Sequence, residues 1–311
     1  MNHRIGLTKR LFQTFLVLKI MVVQTERLTK RYGRSRGIED INLSVNEGEI
    51  FGFLGPNGSG KTTTIRILLD FIRASSGRAR LFGMDAHADS TQIKSRIGYL
   101  PGEYGMYEKM TAVEYLQFLG SLRSDKEPPL RDRLIERFGL DISRRIKSFS
   151  HGTKQKLALV QAFMHDPELL ILDEPTNGLD PLIQQQFYEL ILELKERGKS
   201  VFFSSHVLSE VERVCDRVAI LREGKLVALH EISELKEFRL KRIEVTFKQE
   251  LDESIFRLEG VRKIEKNAHT LRLWVDANIN RILRTLSEYP IDNISCQDAR
   301  LEDIFLEYYS Q

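Results

Sequence analysis

Gly55-Pro56-Asn57-Gly58-Ser59-Gly60-Lys61-Thr62 is the stretch that decides the fold of this 311-residue chain. Its pattern, G-x-x-x-x-G-K-T, is that of a phosphate-binding loop. Just before it, Glu49-Ile50-Phe51-Gly52-Phe53-Leu54 is a mostly apolar run suited to a buried parallel strand. Just after it, Thr63-Thr64-Ile65-Arg66-Ile67-Leu68-Leu69 has helical spacing. Glycines let backbone N–H groups close around phosphates, and the helix N-terminus adds partial positive charge. In such a loop the lysine, Lys61, reaches the β- and γ-phosphates, and the Thr62 hydroxyl ligates Mg²⁺. Gly55, Pro56, Asn57, Gly58, Ser59, Gly60, Lys61, Thr62 and Thr63 are therefore the candidate nucleotide-binding residues. A bound nucleoside triphosphate is expected.

Working outward, strand-like runs alternate with helical ones, which predicts a parallel, doubly wound α/β sheet. Glu168-Leu169-Leu170-Ile171-Leu172-Asp173-Glu174-Pro175 is a buried strand with carboxylates at its C-terminal end, where open parallel sheets bind ligands. An Asp-Glu pair after a strand is ordinarily a solvated turn. Beside a phosphate loop, Asp173 is instead a Mg²⁺ ligand and Glu174 the group that orients and deprotonates an attacking water. A helix from Leu182 to Arg197 follows, then the strand Ser200–Ser205 ending at His206, placed to contact a γ-phosphate. Strands are expected at 217–221 and 225–228. From Val22 to about Gly48, short strand-like segments alternate with polar turns. Tyr32 in that region suits either packing or stacking on a base.

From Thr111 to about Phe149 the sequence becomes helix-rich, broken at Asp125-Lys126-Glu127-Pro128-Pro129. This reads as an α-helical insertion covering about 105–165. Beyond Ile232, Ile243, Val245 and Phe247 alternate with polar residues, as do Leu271, Leu273 and Val275. Ile279, Ile282, Leu283 and Leu286 are spaced for a helix, Ile291–Cys296 suits a strand, and 301–309 reads as an amphipathic helix. The order predicts a small α+β domain of ferredoxin-like character over 232–311.

With 41% hydrophobic and 29% charged residues, the composition is that of a globular protein, and a net charge of +3 selects no class of partner. Cys215 and Cys296 lack metal-ligand spacing and read as free thiols. No apolar run reaches the about 18–20 residues of a transmembrane helix. Residues 1–20 begin basic and turn apolar. They read as an upstream extension ahead of an initiator at Met21, with a short membrane-surface anchor as the second reading.

Together these motifs give the chain a family resemblance. It resembles the nucleotide-binding subunit of an ATP-binding cassette (ABC) transporter of the drug-export type, with a cassette at 21–231. Ser150-His151-Gly152-Thr153-Lys154-Gln155-Lys156 stands where that family has its signature motif, in an altered form: His151 and Thr153 replace the first Gly and the Gln. Asn177-Gly178-Leu179-Asp180 resembles the D-loop, His206 the switch histidine, and Tyr32 the adenine-stacking aromatic. The Gln expected after Tyr99-Leu100-Pro101 is absent, and Glu103 is the candidate to replace it at the metal. The resemblance implies ATP and Mg²⁺ as ligands, with Lys61, Glu174 and His206 as the catalytic set and Thr62 and Asp173 on the metal. It also implies a head-to-tail homo- or heterodimer in which Ser150 and Gly152 act in trans, with Asp180 as the D-loop residue. A separate polytopic permease at the cytoplasmic face of the cell membrane would be the partner, and nucleic acid would not. A single cassette and no sustained heptads separate it from two-cassette translation factors and coiled-coil DNA-repair relatives.

Overall fold

The computed structural model describes residues 20–33, 35–103, 105–123, 128–237, 241–276 and 278–298. Two long strands open it, β1 (Met21–Tyr32) and β2 (Ser35–Asn46), followed by the short buried β3 (Ile50–Leu54). Helix α1 (Lys61–Leu68) leads to β4 (Ser76–Leu81), β5 (Met84–Asp85), α2 (Ser90–Ser95) and β6 (Ile97–Leu100). Three helices follow, α3 (Ala112–Leu122), α4 (Arg131–Arg137) and α5 (His151–Phe163). The α/β alternation resumes with β7 (Leu169–Asp173), α6 (Pro181–Glu196), β8 (Ser200–Ser205) and α7 (Leu208–Val214). Next come β9 (Arg217–Arg222), β10 (Lys225–Glu231) and α8 (Ile232–Glu237). The last elements are β11 (Lys241–Phe247), β12 (Val261–Asn267), β13 (Thr270–Val275), α9 (Ile279–Ser287) and β14 (Ile291–Asp298).

The central sheet has the order β10-β9-β3-β8-β7-β6, parallel from β9 to β6. Its strands are apolar on both faces because both faces are covered. Phe51, Phe53 and Phe202 enter one core layer with Ile65 and Leu68 of α1, while Ile50, Leu54, Val201 and Phe203 enter the other. Burying each of these rings contributes about 1.5–3 kcal/mol. Gly52 lets α7 lie close: a Cβ there would stand 2.5 Å from a Val211 methyl. All five parallel strands run the same way, so the chain ends that follow β3, β7 and β8 meet on one edge.

The first strands differ from expectation. Val22–Gly48 holds not several short segments but two twelve-residue strands, which pair antiparallel and absorb their length through register shifts at Thr25/Leu28 and Leu28/Lys30. They build a second, antiparallel sheet, β2-β1-β4-β5, so the doubly wound reading holds only for the central sheet. At the other edge β10 runs antiparallel to β9.

The third sheet has the order β12-β13-β11-β14, the strand arrangement of a ferredoxin-like unit. Ile243, Val245, Phe247, Leu271, Leu273 and Val275 face Ile282 and Leu286 of α9, as their alternation requires. A four-residue 3₁₀ turn, Glu253–Phe256, takes the place of the first helix. Trp274 lies on the alternation's polar side yet is buried, with the Lys263 ammonium 4.9 Å from its ring centroid. Residues 1–19 of the 1–20 extension and the helix expected at 301–309 lie outside the described residues. Among the described residues no helix is long and apolar enough to cross a membrane.

Candidate nucleotide-binding site

The Gly55–Thr62 loop joins β3 to α1, and Gly60 is the helix N-cap at φ 108°, a conformation closed to side-chain-bearing residues. A Cβ on Gly60 would also stand 2.5 Å from an Ile38 methyl, and one on Gly55 would meet the Ser59 hydroxyl and the Leu221 carbonyl. The loop is pinned by backbone bonds: Gly55 N–H donates to the Ser205 carbonyl at 3.2 Å, and Gly224 N–H to that of Ser59 at 2.9 Å. Helix α1 carries no acidic residue of its own in its first turn, so its N-terminal field is not offset from within the helix.

Lys61 is buried, and its ammonium donates to the Gly55 carbonyl at 2.6 Å and stands 3.2 Å from a Glu174 carboxylate oxygen. The Thr62 hydroxyl donates to Asp173 at 2.8 Å. Asp173, 2% exposed at the end of β7, accepts its second bond from the Ser204 hydroxyl at 2.5 Å. Glu174 lies just beyond the strand at φ 51°, a left-handed conformation costly for a residue with a Cβ. Its backbone N–H holds the Ser204 carbonyl, and its carboxylate meets His206 Nδ1 at 2.8 Å. Three strand ends thus bring Lys61, Thr62, Asp173, Glu174 and His206 into one cluster.

The remaining candidates lie around it. Tyr32 is half exposed at the end of β1, its ring packed beside Gly37, and the Gly37 carbonyl in turn borders Gly60. Ser150 is the N-cap of α5 and accepts from Thr153 N–H at 3.2 Å. That helix begins at His151, so the altered signature forms its first turn. Gly152 and His151 pack on Gly178: the His151 ring occupies the space a Gly178 Cβ would need. Asp180 caps α6 by accepting from Leu182 and Ile183 N–H, with Pro181 fixing the first turn. Of the Gly102–Glu103 pair, Gly102 faces Asp173, a Cβ there standing 3.5 Å from its carboxylate, while Glu103 is exposed.

Sequence reading missed three groups. Ser204, a buried hydroxyl near the end of β8, holds Asp173; the serine pair that follows Val201-Phe202-Phe203 was the available signal. Gln155 is buried in α5 and donates to the Pro175 carbonyl at 2.8 Å. Tyr99, beside Asp173, has its phenol pushed up to about 12 by burial, with the Asp173 charge adding to it.

Asp173 and Thr62 are hard oxygen donors side by side, a pairing that fits Mg²⁺, which takes one or two protein oxygens plus substrate phosphates. The ABC transporter family model matches residues 38–177. The chain is 41% identical over 226 residues to the bacitracin transport ATP-binding protein BcrA of Bacillus licheniformis, across 72% of this chain and 74% of that protein. It is 39% identical over 228 residues to an ABC transporter ATP-binding protein of Synechocystis sp., across 69% of this chain and 64% of that one. The solved structure of an ATP-binding subunit of an ABC transporter superposes with a TM-score of 0.64 at 30% identity, over 69% of this chain and 92% of that chain.

Proposed function

The chain belongs to the ATP-binding proteins of the ABC transporter family, and from this we propose that it hydrolyses ATP to drive export through a separate polytopic permease. The observation that carries the reading is the meeting of Lys61, Thr62, Asp173, Glu174 and His206 at the ends of β3, β7 and β8. Lys61 and the loop N–H groups bind the phosphates. Tyr32 takes the adenine. Thr62 and Asp173 would hold Mg²⁺, which offsets charge on the phosphates. Glu174 orients the attacking water and accepts its proton, and His206, hydrogen-bonded to Glu174, steadies that carboxylate.

Two such subunits pack head to tail, so that Ser150 and Gly152 of one face the nucleotide of the other. Helix α5 supports this: its first turn carries no acidic residue, so its N-terminus favours an anion. ATP then acts as part of the interface, and hydrolysis loosens it. The 1–20 extension, the 21–231 cassette and the 232–311 accessory domain are the proposed divisions, with the helices between 105 and 165 passing motion to the permease. The subunit sits peripherally at the cytoplasmic face of the cell membrane, and Glu103 is proposed to take the missing glutamine's place. A relative named for bacitracin transport supports the drug-export assignment.

The test is a detergent pull-down from native membranes with identification of co-eluting proteins. A polytopic membrane protein recovered in near-equal amount is expected. Recovery with ribosomes or nucleic acid would overturn the transport reading.

A further inference from the structure

One carboxylate outside the cluster is engaged by hydroxyls from two of the segments that form it. Glu210 lies on α7, which is locked against the central sheet by Leu208, Val211 and Val214, with Val211 seated on Gly52. Its two oxygens go different ways. One accepts from the Thr176 hydroxyl at 2.5 Å, the other from the Ser205 hydroxyl at 2.6 Å. Thr176 follows the Asp173–Glu174 pair and precedes the Asn177–Asp180 loop. Ser205 precedes His206, and both hydroxyl-bearing residues are buried. Ser205 is itself fully engaged: its hydroxyl accepts from Val207 N–H at 2.9 Å, and its carbonyl accepts from Gly55 N–H of the phosphate loop. Thr176 is also close to the other half of the machinery, because the neighbouring Pro175 carbonyl is held by Gln155 of α5.

We propose that Glu210 is a positioning residue for hydrolysis, a carboxylate strut that sets the spacing between the Glu174 loop and the strand end bearing His206. This rests on the ATPase reading above. A carboxylate suits the task because it is acceptor-only at two oxygens and so draws one O–H from each side. A glutamine keeps one acceptor and presents an N–H₂ to the other hydroxyl. Ser205 would then turn its O–H toward the Val207 carbonyl, 3.3 Å away, and one arm of the strut would slacken. The Glu174–His206 bond joins the same two segments on the nucleotide side. Glu210 therefore closes a ring that runs through Thr176, Glu174, His206 and Ser205.

The experiment uses full-length wild type, Glu210→Ala, Glu210→Gln, Thr176→Val and the Glu210→Ala/Thr176→Val double variant, each co-purified with its membrane complex. A fluorescent ATP analogue reports affinity, and phosphate release reports turnover. For Glu210→Ala the expected result is affinity within about twofold and kcat lower by about 10–100-fold. Glu210→Gln should lose less, and the double variant no more than Glu210→Ala, because both changes open the same strut. A kcat within about twofold of wild type, or losses that multiply in the double variant, overturns the proposal. So does an affinity loss matching the turnover loss, which would make Glu210 a structural support of the whole site. Absence of hydrolysis by wild type is seen before any variant is compared; it overturns the ATPase reading and this inference with it.

Discussion

Nδ1 of His206 stands 2.8 Å from a carboxylate oxygen of Glu174, although the two residues are 32 positions apart. The contact exists because β7 and β8 are parallel neighbours paired from Leu169–Ser200 to Asp173–Ser204, so the residues just past each strand emerge side by side. The second Glu174 oxygen faces the Lys61 ammonium. One carboxylate therefore meets both the phosphate-loop lysine and the histidine.

Replacing Glu174 by Gln keeps the shape and hydrogen-bonding reach of the side chain and removes its capacity to take a proton. Turnover should fall by at least ~10²-fold while ATP binding persists. Phosphate release beside equilibrium nucleotide binding checks this. Hydrolysis at the wild-type rate would remove Glu174 from the role of base.

Lys61→Ala removes the cation at the centre of the loop. Hydrogen bonds to charged groups contribute about 1.5–3 kcal/mol, so ATP affinity should weaken on the order of 10–100-fold. Calorimetric titration with ATP is the measurement, and unchanged affinity would mean that the ammonium, bonded to the Gly55 carbonyl, serves the loop alone.

Phe202 sits in the centre of the parallel sheet with no exposed surface, its ring centroid 5.8 Å from that of Phe51 and 5.0 Å from that of Phe53. Phe202→Ala should cost about 3–5 kcal/mol of stability through lost burial and the cavity left behind. Urea denaturation followed by circular dichroism reads it. A loss below about 1 kcal/mol would mean the two facing rings collapse into the space.

Tyr99 carries the pH prediction. Burial raises its phenol from 10 to about 12, so the unfolded chain ionises before the folded one. Its contribution is intact below about pH 10 and is lost as pH climbs from about 10 to 12. Tyr99→Phe should therefore flatten that part of the alkaline stability curve. Thermal midpoints between pH 9 and 12 would show it, and parallel curves for the two proteins would refute it.

The sequence by itself determined the elements whose signal is local. The glycine-rich loop, the apolar runs of β3 and β7, and the 3.6-residue spacing of α6 and α9 follow from short-range stereochemistry and burial. So did the alternating third sheet. The meeting of Asp173, Glu174 and His206 was legible because each stands at the C-terminal end of a strand-like run in a chain with a recognisable phosphate loop. Other features needed the tertiary structure, because they depend on which segments become neighbours. The antiparallel pairing of β1 with β2 and β4 merges what read as short strands, since ladder hydrogen bonds run on through register shifts that propensity does not foresee. Ser150 became the cap of α5 because its side chain found the Thr153 N–H, starting the helix before its apolar period begins. Trp274 was buried from the polar side by a cation on the adjacent strand. The Thr176 and Ser205 hydroxyls come from 34 and 5 residues away, and the packing of α7 on β3 and β8 brings both to the Glu210 carboxylate.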